Sequence, residues 1–438
     1  MTRVALVSTE CLELLPPEFQ GSRASEEPLD LMYVAATLAD SCDVNFVSLR
    51  QDGAQQATAD ADVVVFSTAS SYLQWNNHPL GLDLVRQTWN RLESPSDRQQ
   101  RRIVIGPHVP SHRQELRDMG ATVVLTGEPE LVVRRVVHGD EMVAENTVWT
   151  VDDLDQLPFP AYWQVMKRAS VAHNAPGGFA LGHLYEASRG CPFSCSYCNT
   201  VFHRRRYRRK TPQKVVGDLK RLREMSDRDY VYFIDESFGY DQDWFVDVVP
   251  RLADVGFSFG CQSNLAVLTS ERLRMLSAAN FVSLEFGFET SDEKILRSAG
   301  KTNGRRPVTD LINEAADLGL NPLLFVIVGL PGETQDSLRA TIRLLRSLRS
   351  QVRMSVSMPT PYFGTRLFKL GRESGVIPER ASGSTLYEYT GRIGHSLRAS
   401  RNATKAFMDT YGPNHLLTPE TLDRFENDVE VLFAGTTS

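Results

Sequence analysis

Three cysteines in one short window constrain this chain more than any other feature. Cys191, Cys195 and Cys198 are separated by three and then by two residues. A loop with this spacing can place three thiolates around one face of an iron–sulfur cluster and leave the fourth iron without a protein ligand. An iron left open in this way can bind a substrate or a cofactor.

Other interpretations of these cysteines fit the sequence less well. Zinc sites built from cysteine usually need a second Cys or His pair at a matching distance, and the sequence supplies no such Cys-x-x-Cys partner. Ferredoxin clusters take four cysteines in a different rhythm, which argues against a simple electron carrier. The isolated Cys11, Cys42 and Cys261 are predicted to behave as small buried hydrophobes.

The cysteine window, with its Gly-Cys-Pro turn and an aromatic residue before the third cysteine, resembles that of the radical S-adenosylmethionine superfamily. In that family a [4Fe-4S] cluster binds S-adenosylmethionine at its open iron and donates an electron to it, which releases a 5′-deoxyadenosyl radical. The resemblance implies that Cys191, Cys195 and Cys198 are the metal ligands and that Tyr197 contacts the cofactor.

Length and composition indicate an ordinary globular protein. With 438 residues, 42% of them hydrophobic, the chain has room for two domains and a short appendix. Its net charge of −6 argues against a nucleic-acid-coating surface. The absence of a long apolar run or a signal-peptide pattern predicts no membrane association. A cytoplasmic location is expected, because an oxygen-sensitive cluster needs a reducing compartment.

The first part of the chain alternates short β-branched runs with amphipathic stretches, a pattern typical of a parallel sheet covered by helices. Strands are predicted at 3–7, 44–47, 63–67, 102–105 and 122–125, and helices at 29–38, 80–92, 112–119 and 129–137. The fold class is therefore α/β, with a Rossmann-like open parallel sheet over residues 1–137. Such a sheet binds ligands beyond the carboxyl ends of its strands.

A second alternating series follows a linker at 138–182, where prolines and glycines interrupt the periodicity. Strands are predicted at 184–187, 230–234, 257–261, 282–286, 323–328 and 353–358, and helices at 212–225, 242–255, 270–278, 307–318 and 334–348. These units predict a partial (β/α)6 barrel over residues 183–372, with its chemistry at the carboxyl ends of the strands. Residues 373–438 are predicted to form a small, mostly helical appendix.

Carboxylates follow two of the predicted barrel strands. Asp235 and Glu236 lie where the superfamily meets the amino group of S-adenosylmethionine, although one of them could instead cap the next helix. Glu289 lies in a run that is close to the family's Gly-x-Glu-Ser pattern. The resemblance implies a contact to the ribose or the amino acid part of the cofactor. The alternative is that Thr290 or Ser291 caps a helix and Glu289 is a solvated neighbour.

Two further segments resemble parts of the same cofactor site. Val328 and Gly329 begin a Val-Gly-Leu-Pro-Gly-Glu run that closely matches the family's adenine-side segment, where a glycine lets the backbone approach the flat base. Asn264, beyond the third predicted strand, is expected to touch the ribose or the carboxylate.

A basic run at 203–210 follows the cysteines. Most of its charges are expected to form a solvated loop. The run could also dock an acidic electron donor such as flavodoxin or ferredoxin, or contact an anionic substrate. No RNA-binding module is visible in the sequence, which argues against a nucleic-acid partner.

The first domain resembles the cobalamin-binding domain that precedes many radical S-adenosylmethionine domains. The resemblance implies cobalamin contacts in loops after the third, fourth and fifth strands, namely Ser67, Thr68, Gly106, Pro107, His108, Gly127 and Glu128. The Asp-x-His-x-x-Gly motif that ligates cobalt from below does not occur in the sequence, so the corrin would be held without a lower histidine. A domain that has lost cobalamin is the alternative.

These resemblances imply a cobalamin-dependent radical S-adenosylmethionine enzyme with three cofactors: a 4Fe-4S cluster, S-adenosylmethionine and cobalamin. The expected activity is methylation of an unactivated carbon in a small-molecule intermediate of natural-product or cofactor biosynthesis. Cobalamin-assisted rearrangement or cyclisation without methyl transfer is the alternative. Methylthiolation would require more cysteines in the first domain. A redox sensor would leave the cofactor motifs without a role.

Overall fold

A computed structural model describes residues 1–9, 24–25, 28–48, 53–69, 82–92, 100–140, 147–165, 169–175, 178–198, 206–304, 307–381, 389–393, 401–411 and 416–434. Its contacts divide the chain into two units. The first comprises Met1–Ala172, Ala180–Tyr185 and Arg208–Arg228, and the second comprises His173–Phe179, Glu186–Tyr207 and Asp229–Ser438.

The first unit is built on a five-stranded parallel sheet. Its strands are β1 (Thr2–Ser8), β2 (Cys42–Phe46), β3 (Val63–Ser67), β4 (Arg101–Ile105) and β5 (Val123–Val124). The strand order β2-β1-β3-β4-β5 is that of the flavodoxin-like doubly wound sheet. In such a sheet the strand order reverses between β1 and β3, while all strands stay parallel. Its helices are α1 (Leu29–Leu38), α2 (Ala54–Asp60), α3 (Asp83–Trp89), α4 (Val109–Asp118), α5 (Val133–Val137), α6 (Tyr162–Val165) and α7 (Pro212–Met225).

Both faces of this sheet are buried. Val4 and Leu6 of β1 belong to one apolar cluster, while Ala5 and Val7 belong to another. Because successive side chains of a strand point to opposite faces, the alternation shows that each face has its own core. Such double burial is characteristic of parallel sheets and explains the continuous apolar runs in the sequence.

The second unit contains six successive strands of one sheet. Its strands are β6 (Tyr230–Phe233), β7 (Ser258–Ser263), β8 (Phe281–Glu289), β9 (Pro322–Ile327), β10 (Arg353–Ser357) and β11 (Leu416–Leu417). They pair in chain order, with β6 to β10 parallel and β11 antiparallel to β10. The helices are α8 (Gln242–Leu252), α9 (Ser270–Ala278), α10 (Glu293–Ser298), α11 (Val308–Asp317), α12 (Gln335–Arg346), α13 (Arg366–Glu373), α14 (Arg401–Tyr411) and α15 (Leu422–Ala434).

Helix starts in the second unit follow ordinary capping chemistry. The side chains of Asp241, Thr269 and Thr334 each accept a hydrogen bond from a backbone N–H in the first turn of α8, α9 and α12. Each helix therefore begins directly after a residue whose side chain satisfies an otherwise unpaired donor. Among the described helices, none has the length and apolarity that crossing a membrane requires.

The predicted α/β fold is confirmed. Helices α1, α7 and α9 have the predicted bounds, and the predicted strands lie within a few residues of those observed. Helices α2, α6, α10 and α13 were not predicted; each has eight residues or fewer, too few for a clear apolar period. Helix α7, expected in the barrel, groups with the first unit, as does the short strand His183–Tyr185. The domain boundaries remain predictions. Cys42 and Cys261 are buried as expected, and Cys11 lies outside the described residues.

A glycine in the sheet gives a test of this packing. At Gly260 of β7, a Cβ would collide with the hydroxyl of Tyr230 and the ring of Tyr232. We expect Gly260→Ala to lower the free energy of unfolding by about 1–3 kcal/mol, measured by chemical denaturation.

The matched control is Gly217 of helix α7, where a Cβ would meet no described atom within 4 Å. Gly217→Ala should raise the free energy of unfolding by up to about 1 kcal/mol, because alanine is the better helix former. Equal effects of the two substitutions would contradict the packing at Gly260.

Candidate functional site

The cysteine loop is fixed by backbone hydrogen bonds. Its three cysteines are free thiols of intermediate exposure. The N–H of Ser196, in the middle of the loop, donates to the carbonyl of Ala299 at 2.7 Å, and the carbonyl of Ser196 accepts from Leu367 N–H at 2.8 Å. The loop is therefore held by the end of α10 on one side and the start of α13 on the other.

Two buried carboxylates hold the segment that leads into the first cysteine. Asp235 accepts hydrogen bonds from Ala187 N–H at 2.9 Å and from the hydroxyl of Ser188 at 2.5 Å. Glu236 accepts from Gly190 N–H at 2.9 Å. Burial raises the pKa of Asp235 to about 8. Asp235 and Glu236, both predicted to contact the cofactor, thus lie beside the cysteine loop and hold the segment that precedes Cys191.

The donor set fits an iron–sulfur cluster. Burial raises the pKa of the Cys191 thiol to about 12. Burial also raises the pKa of the Cys195 thiol, and the charge of the nearby Lys301 opposes that second rise. Thiols in such a setting ionise readily when they bind a cationic centre. Among the described residues, no three His, Cys, Asp or Glu side chains are grouped as ligands for one metal ion. A cluster needs a wider arrangement, because each cysteine binds a different iron.

Glu289 ends β8 in a strained conformation. Its φ of +66° is uncommon for any residue except glycine, and the pairing with β9 shifts register between Gly287 and Glu289. The carboxylate is buried and lies 3.4 Å from the ammonium of Lys301. Burial raises the pKa of Glu289, and the charge of Lys301 opposes that rise. Strain of this kind is often found at functional sites.

Gly287 makes room for this ion pair. A Cβ at Gly287 would lie 2.5 Å from a carboxylate oxygen of Glu289 and 2.8 Å from Nζ of Lys301. A residue with a side chain at this position would therefore displace both charged groups.

Tyr197 lies in the cysteine loop and is partly buried. Its ring packs against Ile295, Ile327 and Leu330. Burial raises the pKa of Tyr197 well above its usual value, and the nearby charge of Glu289 adds to that rise. Tyr197 therefore joins the cysteine loop to the end of β9.

The predicted adenine-side loop is held by a hydrogen bond to Glu333, a residue of the same loop. Gly329 has a φ of +91°, and its N–H donates to the Glu333 carboxylate at 2.6 Å. The N–H of Val328 donates to the carbonyl of Ser357 at 2.9 Å, which extends the strand pairing. Burial raises the pKa of Glu333 to about 8. Val328 and Gly329 are thus held at the carboxyl end of β9.

Asn264 has a local role in the structure. Its side-chain oxygen accepts a hydrogen bond from Ala266 N–H at 2.9 Å and caps a short 3-10 turn after β7. Together with the residues above, it lies at the carboxyl ends of β6 to β9. One edge of the second unit thus collects the cysteine loop and all the predicted S-adenosylmethionine contacts.

The cobalamin candidates of the first unit lie on loops at the carboxyl ends of two neighbouring strands. Ser67 ends β3 and Thr68 follows it, while 106–108 follow β4 and comprise Gly106, Pro107 and His108. The amide N–H of His108 donates to the hydroxyl of Thr68 at 3.3 Å. Gly106, with φ of +109°, is required because a Cβ would lie 2.6 Å from that hydroxyl.

An acid joins this group from α1. Ser67 donates its hydroxyl hydrogen to Asp30 at 2.5 Å, and burial raises the pKa of Asp30 to about 6. Small side chains at the carboxyl edge of a doubly wound sheet are compatible with a bound nucleotide-like group. These residues therefore fit the predicted cobalamin contacts.

Close packing at Gly127 and hydrogen bonds at Glu128 give each of these two residues a structural role. A Cβ at Gly127 would collide with the carbonyl of Trp149. Both carboxylate oxygens of the buried Glu128 accept from Arg208 at 2.7 Å, and one also accepts from Val151 N–H at 2.8 Å. Their contact with cobalamin remains a prediction.

Sequence reasoning missed three charged residues of the second unit. Glu186 and Arg189 form a buried ion pair at 2.7 Å within the segment that leads into the first cysteine. Lys301 pairs with Glu289. Their burial depends on tertiary contacts, and no local motif marks them. The basic run was expected to be solvated, but Arg208 and Lys210 are buried, since Arg208 pairs with Glu128; residues 203–205 of the run lie outside the described residues.

Part of this chain matches a known protein family. Residues 185–345 match the model of the Radical SAM superfamily. The chain is 25% identical over 222 residues to the uncharacterized methyltransferase PH0819 of Pyrococcus horikoshii, which covers 50% of this chain and 47% of that protein. It is 24% identical over 327 residues to the hopanoid C-2 methylase of Rhodopseudomonas palustris, and the match covers 71% of this chain and 58% of that protein.

A third relative is the cytidylyl-2-hydroxyethylphosphonate methyltransferase of Streptomyces wedmorensis, 25% identical over 241 residues that cover 51% of this chain and 45% of that protein. The chain spans about half the length of these curated relatives.

Two solved structures share the fold. The radical S-adenosylmethionine methyltransferase TsrM from Kitasatospora setae, with tryptophan and a cofactor analogue bound, has a TM-score of 0.64 at 16% identity, covering 86% of this chain and 77% of that chain. The cobalamin-dependent enzyme OxsB, with aqua-cobalamin bound, has a TM-score of 0.61 at 15% identity, covering 88% and 57%.

The raised pKa of Glu333 predicts a pH dependence of stability. Between its unfolded value of 4.5 and its folded value of about 8, the unfolded state releases the proton and the folded state keeps it. The contribution of Glu333 is therefore present below pH 4.5 and is lost as pH rises towards 8. Glu333→Gln should remove this loss, measured as unfolding free energy against pH.

The control is Glu293→Gln, which changes an exposed acid on α10. Its pH profile should follow that of the unsubstituted protein. A Glu333→Gln profile parallel to both would contradict the assignment.

Proposed function

We propose that this chain, which belongs to the radical S-adenosylmethionine superfamily through its domain at residues 185–345, is a cobalamin-dependent methyltransferase that acts on an unactivated carbon of a small molecule. The observation that carries the proposal is the three-cysteine loop, fixed at the carboxyl edge of parallel barrel strands. The relatives support methyl transfer, since three of them are named as methyltransferases or a methylase.

The proposed cofactors are a 4Fe-4S cluster, S-adenosylmethionine and cobalamin. When bound, they would supply an electron, a carbon-centred radical and a transferable methyl group. The cysteines would hold the cluster, and Asp235 and Glu236 would keep their loop in place. Tyr197 and Glu289 would line the S-adenosylmethionine site.

The remaining proposed contacts are to S-adenosylmethionine in the second unit and to cobalamin in the first unit. Asn264, Val328 and Gly329 would line the rest of the S-adenosylmethionine site. Cobalamin would lie on the loops after β3 and β4, where Ser67 and His108 are placed.

The proposed substrate class is a small organic molecule. Hopanoid, a cytidylyl phosphonate and tryptophan appear in the names of the related proteins, and they share only this property. An acidic flavodoxin or ferredoxin is the proposed electron donor. Within the basic run at 203–210 this choice is supported by the exposed Arg206, whereas Arg208 and Lys210 are buried and would not contact a donor.

Anaerobic reconstitution tests the proposed function. Protein from cobalamin-fed cells should contain about four irons per chain and show the absorbance of cobalamin. With a reductant and S-adenosylmethionine it should form 5′-deoxyadenosine and S-adenosylhomocysteine, detected by mass spectrometry. Absence of both products across a panel of substrates would refute the proposal, and absence of cobalamin alone would refute its cobalamin part.

Substitution of a cysteine tests the ligand assignment. Cys191→Ala should lose the cluster, because two thiolates do not hold three irons in place, and iron content and absorbance would report the loss. Cys261→Ala, in a buried cysteine of β7, is the matched control and should keep the full iron content. A Cys191→Ala protein with the same iron content as the control would contradict the assignment.

A further inference from the structure

The two faces of the sheet in the second unit differ in chemistry. On one face the rings of Phe233 and Phe259 pack together, and Phe238 joins this apolar group to helix α8. Successive residues of a strand point to opposite faces, so the residues beside these rings lie on the other face. We name that side of the sheet the polar face. It includes Tyr232, Gly260, Gln262, Ser283, Glu285, Gly287, Phe325, Arg353, Ser355 and Ser357.

Contacts within the polar face agree with this orientation. A Cβ on Gly260 would collide with the hydroxyl of Tyr230 and the ring of Tyr232. The hydroxyl of Tyr232 is hydrogen-bonded to the Glu285 carboxylate, and the guanidinium of Arg353 attracts the same carboxylate. The opposite charges of Glu285 and Arg353 offset each other. The polar face therefore favours an uncharged ligand, because a charged one would be desolvated without a counter-charge of its own.

The centre of the polar face is not fully covered. Gln262, Phe325 and Ser357 are partly exposed, although β7, β9 and β10 each have a neighbouring strand on both sides. On the opposite face, Phe286 and Leu324 of the neighbouring positions are fully buried. A side chain of an interior strand stays exposed only where no other group packs over it. The polar face therefore leaves room for a small molecule against the ring of Phe325.

This opening lies beside the proposed S-adenosylmethionine site. Gly287 and Phe325 are paired in register on β8 and β9. A Cβ at Gly287 would point at the Glu289 carboxylate and the Lys301 ammonium, so both charged groups lie over the polar face. Glu285 precedes Gly287 on the same face, at a spacing of about 7 Å along the strand. A molecule held between Glu285 and Phe325 would therefore lie next to the cofactor.

Glu285 and Arg353 offer complementary hydrogen-bonding groups. A carboxylate accepts hydrogen bonds, whereas a guanidinium only donates them. One terminal nitrogen of Arg353 is buried and has no hydrogen-bond partner among the described residues. A buried donor without a partner costs stability, and an oxygen atom of a ligand would remove that cost. A hydroxyl group suits both residues, because it donates to the carboxylate and accepts from the guanidinium.

We propose that the polar face is the substrate site and that the substrate is an uncharged aromatic molecule with a hydroxyl group. The inference rests on the proposed function, since it assumes that S-adenosylmethionine binds at the cysteine loop. Phe325 stacks on the aromatic ring of the substrate. Glu285 and Arg353 hold its hydroxyl group. The specificity thus comes from residues that contact neither the cluster nor the cysteine loop.

Three probes test the required groups: naphthol, its methyl ether and naphthoate. Each is bound anaerobically to the reconstituted holoprotein with S-adenosylmethionine and without a reductant, and its dissociation constant is measured by equilibrium dialysis. Naphthol should bind about tenfold more tightly than the ether, which cannot donate to Glu285. Naphthoate should bind more weakly than naphthol, because its negative charge meets the Glu285 carboxylate.

The substitution Glu285→Gln should shift the preference from naphthol to naphthoate. Without the carboxylate the charge of Arg353 is no longer offset, so naphthoate should gain several-fold in affinity. Naphthol should lose its advantage over the ether. A merely structural role for Glu285 would instead lower the affinities for all three probes together.

A second variant tests the aromatic wall without changing a charge. Phe325→Leu should weaken naphthol and its ether alike, by about fivefold, because the stacking contact is lost. Phe325 is partly exposed, so this change removes less packing than a substitution in the core. Glu271→Gln, in an exposed acid of α9, is the matched control for Glu285→Gln and should leave the three affinities unchanged.

The outcomes separate this inference from the proposed function. A holoprotein that forms 5′-deoxyadenosine but binds naphthol no better than its ether would overturn the inference alone. Unchanged probe preferences in Glu285→Gln, or unchanged affinities in Phe325→Leu, would do the same. A protein that takes up no cluster would overturn the proposed function, and with it the role of the polar face as a substrate site.

Discussion

The site depends on hydrogen bonds that two buried acids accept from the segment before the first cysteine. Asp235 and Glu236 follow strand β6, and together they accept hydrogen bonds from three donors at 187–190. A loop that must wrap a metal cluster cannot also supply its own apolar core. Its shape therefore has to come from fixed acceptors on the neighbouring strand, which the parallel sheet places there.

The parallel arrangement explains why chemically different residues meet at one edge. Each strand from β6 to β9 delivers its carboxyl end to the same side of the second unit. The sheet of the first unit does the same for the loops after β3 and β4. In both units the apolar strands supply rigidity, while the turns that follow them carry the polar groups.

Much of this architecture could be predicted from the sequence, because buried parallel strands and capped helices leave a clear periodic pattern. The cysteine spacing and the Val-Gly-Leu-Pro-Gly-Glu run after β9 could also be recognised in the sequence. The environment of each side chain was not. Whether Glu289 is solvated or ion-paired depends on Lys301, and Glu128 is satisfied by Arg208, far away in the chain. Such pairings are set by tertiary packing, which no local motif records.

The left-handed backbone at Glu289 sets local backbone strain against the need for a negative charge at one position. Asparagine and glycine adopt that conformation at lower cost, so either would relax the strand end. Neither could supply a negative charge there. Either substitution would also leave the buried ammonium of Lys301 without its anion, which costs more than the relaxed backbone gains, so the ion pair keeps the strained residue in place.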